Sequence, residues 1–219
     1  MNALDLDALA LALATYPRRD VPALPGRRNH LQAGVLVPLR RLGDDVEVVL
    51  TERAKNLRHH GGEISFPGGK PDPEDSSLEH TALREAHEEI GLANARVLGR
   101  LSSIPLYTSD FRLEPFVAVI PSDVPLVASP DEVARVLALS VQQTLAKPQI
   151  TGIPWTHEGR EHLSPVFELA GKLVYGGTAH ALHELLTLVA KVSGVRMPPL
   201  VRGDVDWRDV LPQGPATDE

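Results

Sequence analysis

Gly68 to Leu92 reads G-G-K-P-D-P-E-D-S-S-L-E-H-T-A-L-R-E-A-H-E-E-I-G-L, and it carries more structural and chemical information than any other stretch of the chain. Ser76 followed by Glu79 has the spacing of a capping box, in which a hydroxyl accepts a first-turn N–H and a carboxylate reaches back to the cap, so a helix is predicted to start near Ser77. Gly91 can take the left-handed conformation that ends it. Within the helix, Glu85, Glu88 and Glu89 are related by i, i+3 and i+4 and fall within roughly one third of the circumference. Ala82, Leu83, Ala86 and Ile90 form the neighbouring stripe, suited to burial. One face is anionic and the next is apolar.

Like charges at i, i+4 cost about 0.2–0.5 kcal/mol per pair on an exposed helix, and a bound divalent cation would convert that cost into affinity. Hard oxygen ligands at this density suit Mg²⁺ or Mn²⁺, which share their shell with water and substrate phosphates. The bland alternative is a solvated acidic face. That alternative requires neither the Gly-Gly turn upstream nor Arg84 beside the acids, whereas a site uses both.

At these residues the chain resembles the Nudix box. Arg84, Glu85, Ala86, Glu88, Glu89, Gly91 and Leu92 match its second half, R-E-U-x-E-E-x-G-U with U aliphatic, position by position. The first half departs: Lys70 stands where the box has Gly and Ser76 where it has an isolated Glu, while Gly69 and Asp75 each sit one residue early. A loop one residue longer accounts for both shifts.

The residues just upstream, L50-T-E-R-A-K-N-L-R-H-H-G-G-E-I-S-F-P-G-G69, resemble the extended signature of the coenzyme A pyrophosphatase branch, L-T-x-R-[SA]-x3-R-x3-G-x3-F-P-G-G. Leu50, Thr51, Arg53, Ala54, Arg58, Gly62, Phe66, Pro67, Gly68 and Gly69 match without a gap. Tyr175-Gly-Gly-Thr-Ala is similar to a weaker family element, an aromatic residue followed by Gly-x-Thr-Ala, at the start of the last helix.

The resemblance implies an α/β fold, the Nudix α/β/α sandwich with a mixed β-sheet and the loop-helix. It also implies hydrolysis of coenzyme A to 3′,5′-ADP and 4′-phosphopantetheine. Glu85 and Glu89, with Glu88, would hold one to three Mg²⁺ or Mn²⁺ ions, and Arg84 would orient these carboxylates. Arg53 and Arg58 are candidates for the substrate phosphates, with ordinary surface cations as the alternative. Gly68 and Gly69 belong to the substrate side of the site. His59 and His60 lie between Arg58 and the Gly pair, where substrate contact and loop structure are both open readings. Glu132, in S129-P-D-E-V133, is a candidate metal ligand or general base from a facing loop; a solvated turn is the competing reading. A Nudix enzyme acting on ADP-ribose, NADH or a nucleoside triphosphate would share the metal helix, and a non-catalytic nucleotide sensor would be expected to have lost its glutamates.

A chain of 219 residues can bury one good core, and 42% apolar with 23% charged residues is ordinary for a globular protein. The formal net charge of −7 argues against non-specific nucleic-acid or anionic-membrane binding. An anionic small-molecule substrate is then handled by local cations and metal. There is no cysteine, hence no disulfide framework and no thiolate site, which fits a cytoplasmic location. A homodimer is left open.

The N-terminus has Asp5 and Asp7 where a signal peptide carries positive charge, and no stretch is long and apolar enough to span a membrane. Leu6, Leu9, Leu13 and Tyr16 instead fit one face of a helix ended by Pro17. Residues 1–30 are therefore read as a helix and lead-in packing on a catalytic domain of residues 31–197, followed by a loosely held tail, 198–219. Strands are expected near residues 33–39, 46–51, 95–101, 116–120, 133–139 and 163–169, with helices at 142–146 and 178–193. His180, His183 and Glu184 have chelating spacing but lack a third matched ligand, which favours a surface or hydrogen-bonded core histidine.

Overall fold

The computed structural model describes residues 3–19, 21–57, 60–157 and 159–211. Its first helix, α1 (Leu6–Thr15), is capped by Asp5, whose carboxylate accepts the N–H groups of Asp7 and Ala8, both at 3.0 Å. Leu9 and Leu13 are fully buried beneath it.

The central sheet is built on a hairpin of β1 (Leu31–Leu42) and β2 (Asp45–Arg53). The two strands pair only near the turn, from Leu42↔Asp45 to Leu39↔Val48. Farther from the turn, β3 (Ile64–Ser65) takes the place beside β2 and β4 (Gly68–Gly69) the place beside β1. The connection between them, Phe66-Pro67, fills the opening between the two long strands, and Leu36 donates its N–H to the Pro67 carbonyl. After helix α2 (Leu78–Ile90), β5 (Arg96–Arg100), β6 (Ile104–Pro105) and β7 (Phe111–Ile120) extend the sheet. β7 runs parallel to β1 through ten residue pairs, and β8 (Val133–Ser140) closes antiparallel on the free side of β2. This is the mixed sheet that the resemblance implies.

Alternate residues of the strands feed two cores. Leu36, Val49, Phe116, Ala118 and Ile120 meet Ala82, Ala86 and Ile90 of α2 on one face. Val35, Val37, Leu39, Val48, Leu50 and Val117 point to the other, where α1 and α4 (Gly176–Val192) bury Leu9, Leu13, Leu182, Leu185 and Leu186. Covered on both faces, β1 is a near-continuous apolar run from Ala33 to Leu39, within the strand expected there.

The remaining chain follows α3 (Val141–Leu145) with a second sheet of β9 (Ile150–His157), β10 (Arg160–Leu169) and β11 (Lys172–Val174), completed beyond α4 by β12 (Leu200–Arg202). Here the expectation of a loosely held tail is corrected for residues 198–211. β12 pairs parallel with β9, and helix α5 (Trp207–Val210) buries Val210 against Ile153 and Val166. A short Pro-containing segment has little sequence periodicity, but partners elsewhere in the fold supply its hydrogen bonds and its apolar contacts. Residues 212–219 lie outside the described set.

Gly34 lets α2 approach the sheet: a Cβ there would overlap the Leu78 carbonyl oxygen and press on Thr81. Gly34→Ala is expected to force α2 off β1 at a cost of about 1–3 kcal/mol, read as a lower urea midpoint with unchanged slope. An unchanged midpoint would show that the helix can retreat freely.

Candidate functional site

The helix begins one residue later than its sequence suggests. Ser77 is the N-cap and accepts the His80 N–H at 3.1 Å, and the reciprocal Ser76–Glu79 box is replaced by a Ser76 N–H donated to His80 Nδ1. Gly91 ends α2 in the left-handed conformation, as expected. The later start turns Asp75 inward. Arg84 donates Nε to Asp75 Oδ1 at 3.1 Å and Nη2 to Oδ2 at 3.0 Å, while Thr81 and the Asp72 N–H supply further bonds to Oδ2 at 2.9 Å. These donors, Arg84 first, hold the Asp75 carboxyl well below the ordinary carboxylate range. Asp75, the acid displaced by one residue in the box, is thus committed to locking the loop onto the helix.

Arg84 also reaches the helix acids. Its Nη1 lies 2.9 Å from Glu88 Oε2 and 3.1 Å from Glu85 Oε1, and Nη2 donates to the Lys70 carbonyl. One guanidinium therefore links the Asp75 anchor to two of the three glutamates. Glu88 is half exposed, whereas Glu85 is largely covered against Gly69, where any Cβ would collide with its carboxylate.

Glu89 differs from both. Its side chain is 2% exposed at the opening filled by β4, its Oε2 has no hydrogen-bond partner, and its Oε1 stands 3.8 Å from Arg53 Nη1. Burial raises its carboxyl to about 8; Glu85 and Glu132 push in the same direction, and Arg53 and the Gly68 N–H oppose them. Burial likewise raises Glu85, with Arg84 opposing.

Glu132, on an exposed loop just before β8, lies within electrostatic reach of both. That loop is fastened to α2 by the Ser129 N–H donating to the Glu89 carbonyl at 2.8 Å, and to the end of β2 by the Ala54 N–H donating to the Glu132 carbonyl, also at 2.8 Å. Glu85, Glu89, Glu132 and Arg53 are therefore brought together, with Glu88 at the rim.

Among the described residues no three acidic or histidine side chains stand in a ready-made metal cage. The donor set nevertheless fits a hard cation of the Mg²⁺ type, which takes one or two protein carboxylates and completes its shell with water and substrate oxygens. The unsatisfied, buried Oε2 of Glu89 is the observation that such a cation would answer.

Much of the stretch upstream of α2 is architectural. Leu50 and Phe66 are core residues, buried Thr51 donates to the Ser65 carbonyl, and Gly62 takes a positive φ and donates to the Arg53 carbonyl. Arg53 is the member that faces the acids. Arg58 and His59 lie outside the described residues. His60, at φ +58°, has Nδ1 3.0 Å from Glu63, whose carboxylate raises the imidazole above its ordinary value against burial and Arg53. Burial, with the Glu63 carboxylate nearby, raises the Tyr175 hydroxyl above its ordinary value, a proximity that sequence reasoning missed because Tyr175 is more than a hundred residues away. His180 is a partly buried histidine bonded to Ser164 Oγ at 2.7 Å, and its loss of solvent lowers it to about 4. Glu184 is occupied by Ser102.

Because the Glu89 carboxyl is raised from 4.5 to about 8, the folded chain retains a proton that the unfolded chain releases over that interval. Its stabilising effect is complete below the unfolded value and is lost as pH rises through the folded one. Thermal melts in chelator are expected to fall across this window, and Glu89→Gln, neutral at every pH, to flatten the fall. A parallel decline in both proteins would place the titration elsewhere.

Residues 30–155 match the family model of the NUDIX domain. An uncharacterized Nudix hydrolase NudL of Yersinia pestis (strain Pestoides F) is 33% identical over 162 residues, covering 73% of this chain and 80% of that protein, and the NudL of Yersinia pseudotuberculosis serotype O:1b has the same identity and coverage. The crystal structure of a MutT/nudix family protein from Enterococcus faecalis superposes with a TM-score of 0.52 at 20% identity, over 85% of this chain and 74% of that one, a likeness of fold. The family match over the segment that holds Arg53, the acidic helix and Glu132 leads to one conclusion: the chain belongs to the Nudix hydrolase family.

Proposed function

We propose that this Nudix hydrolase cleaves the diphosphate of coenzyme A or its thioesters, releasing 3′,5′-ADP and a 4′-phosphopantetheine product, with Mg²⁺ or Mn²⁺ as cofactor. The observation that carries the reading is the ungapped ten-position signature from Leu50 to Gly69, which ends on the turn against which Glu85 and Glu89 pack. Glu89 and Glu85 would hold the cation, with Glu88 joining from the rim. The chemistry such an ion would supply is to offset charge on the diphosphate and to make a water more acidic.

The side chains supply the rest. Arg84, held by Asp75, fixes the direction of Glu85 and Glu88. Arg53 sits beside Glu89 with a buried Nε that lacks a partner, and its guanidinium is suited to a substrate phosphate once the acid's charge is shared with metal. Glu132 is the candidate base: it is exposed, on a loop fastened at both ends, and close enough to the helix acids to feel their charge. The enzyme is proposed to act in the cytoplasm on a small nucleotide-derived molecule.

At saturating Mg²⁺, Glu85→Gln and Glu89→Gln are each expected to reduce kcat at least about 100-fold while the fold is retained, because each removes charge stabilisation felt in the transition state. Near-normal turnover in both would separate the helix from the chemistry. Coenzyme A should be hydrolysed with a higher kcat/KM than ADP-ribose or NADH when products are identified by mass. Equal efficiency on either competitor would withdraw the substrate assignment and leave the family.

If Glu132 is the base, Glu132→Gln lowers kcat more than it changes KM and flattens the acidic limb of the pH–rate profile. An unchanged profile would return Glu132 to a solvated turn.

A further inference from the structure

Helix α4 begins without a side-chain cap. Its N-cap is Tyr175, whose side chain makes no capping hydrogen bond, and the N–H groups of Gly176, Gly177 and Thr178 have no acceptor among the described residues. The helical bonds start only with the Ala179 N–H, which donates to the Tyr175 carbonyl at 3.4 Å. Gly176 stands at φ +60° with open space where a Cβ would be, so the backbone can be approached closely at this end. Thr178, the third helical residue, is 9% exposed, and its hydroxyl likewise has no hydrogen-bond partner among the described residues. A helix tilts its Cα–Cβ bonds toward its own N-terminus, so that hydroxyl belongs to the same end as the three N–H groups.

Both flanks of this helix end lead to the candidate site. On one, Tyr175 adjoins Glu63, whose carbonyl accepts the Arg53 N–H at 2.9 Å. On the other, Gly177 lies against Leu106 and Leu113, and a Cβ there would stand 2.8 Å from each. Leu113 and Phe111 are two apart on β7 and face the same side of the sheet, and the Lys70 ammonium lies 5.0 Å from the centre of the Phe111 ring. Lys70 directly follows Gly69, the residue beneath Glu85, so the turn that serves the acids on one face carries a cation on the face covered by α4. Two acids share the groove beside Tyr175, and both are engaged: Glu63 is bonded to His60 Nδ1 at 3.0 Å, and Asp209 accepts the Asp206 N–H at 2.7 Å.

We propose that the N-terminus of α4 is a phosphate site for a monoester that the substrate carries apart from its diphosphate, in coenzyme A the 3′-phosphate. The proposal rests on the coenzyme A reading above and deepens it. The helix start presents aligned N–H dipoles to an anion, Thr178 adds an O–H donor, and Lys70 adds charge. No carboxylate belongs to this donor set, which separates it from the metal helix: an anion is bound here directly, with no cation between. The diphosphate is met by the metal on Glu85 and Glu89 and by Arg53. The further anion suited to these donors is therefore the group that distinguishes coenzyme A from dephospho-coenzyme A and from ADP-ribose.

The experiment uses the whole wild-type chain with isotope-labelled glycine, titrated with 3′-AMP and, separately, with adenosine. The amide resonances of Gly176 and Gly177 are expected to move saturably with 3′-AMP and to stay in place with adenosine. Kinetics supply a second readout. Thr178→Val, which keeps the β-branched shape and removes the hydroxyl, should lower kcat/KM about tenfold on coenzyme A and less than about twofold on dephospho-coenzyme A, and Thr178→Ser should restore the preference. Amides that stay silent with 3′-AMP, or respond equally to adenosine, overturn the proposal, as does a Thr178→Val loss of equal size on both substrates. Hydrolysis of coenzyme A by the wild type is scored separately: cleavage with silent amides removes the phosphate site alone, and saturable shifts without cleavage remove the substrate reading alone.

Discussion

A carboxylate held out of water with one oxygen unsatisfied is unfavourable in any folded chain, and Glu89 is held that way by the geometry of a single hairpin. β1 and β2 pair near their turn and then admit β3 and β4 between them. The short Phe66-Pro67 crossing brings the Gly68 and Gly69 backbone directly under α2, with no side chain to shield the helix acids from one another. Burying a charge with only the distant Arg53 guanidinium to offset it is costly, and burial accordingly raises the Glu89 carboxyl to about 8. The same unsatisfied oxygen is one that a bound cation would answer.

The second constraint is the loop that reaches this helix. One extra residue between the Gly pair and the helix displaces both the helix start and the acid that precedes it. The structure absorbs the displacement through Asp75, which accepts from the Asp72 N–H, Thr81 and Arg84. Arg84 then has one edge anchored and the other free for Glu85 and Glu88. A lysine in its place would carry the charge without the planar fork needed to serve three carboxylates at once.

The sequence revealed the elements whose patterns are local. The β1–β2 hairpin, the apolar faces of α1 and α2, the left-handed end at Gly91 and the last long helix all follow from nearest-neighbour chemistry. The acidic helix face was readable for the same reason, since i, i+3 and i+4 spacing is fixed by the helix itself. What escaped was set by distant partners. β3 and β4 are two residues each and exist because β1 and β2 leave room for them; β12 and α5 exist because β9 and the second sheet offer an edge and an apolar patch. Ser77, and not Ser76, is the cap, in a loop whose Asp75 is bonded to Arg84, a tertiary pairing that local propensity does not contain. The proximity of Glu63 to Tyr175 is of the same kind.

Seen from Arg53, the family signature and the acidic helix are two halves of one device. Leu50 and Thr51 anchor the strand in the core, Gly62 and Glu63 pair with its last residue, and the Ala54 N–H fixes the loop that carries Glu132. Most signature positions therefore act by placing one guanidinium and one distant carboxylate opposite α2. A signature made largely of buried and glycine residues can still matter to a site in this way, because reacting groups have to be held in a fixed relation. The end of β2, bonded to the Glu132 loop through Ala54 and to the β3 loop through Gly62 and Glu63, is the place in this fold where those backbone constraints converge on Arg53.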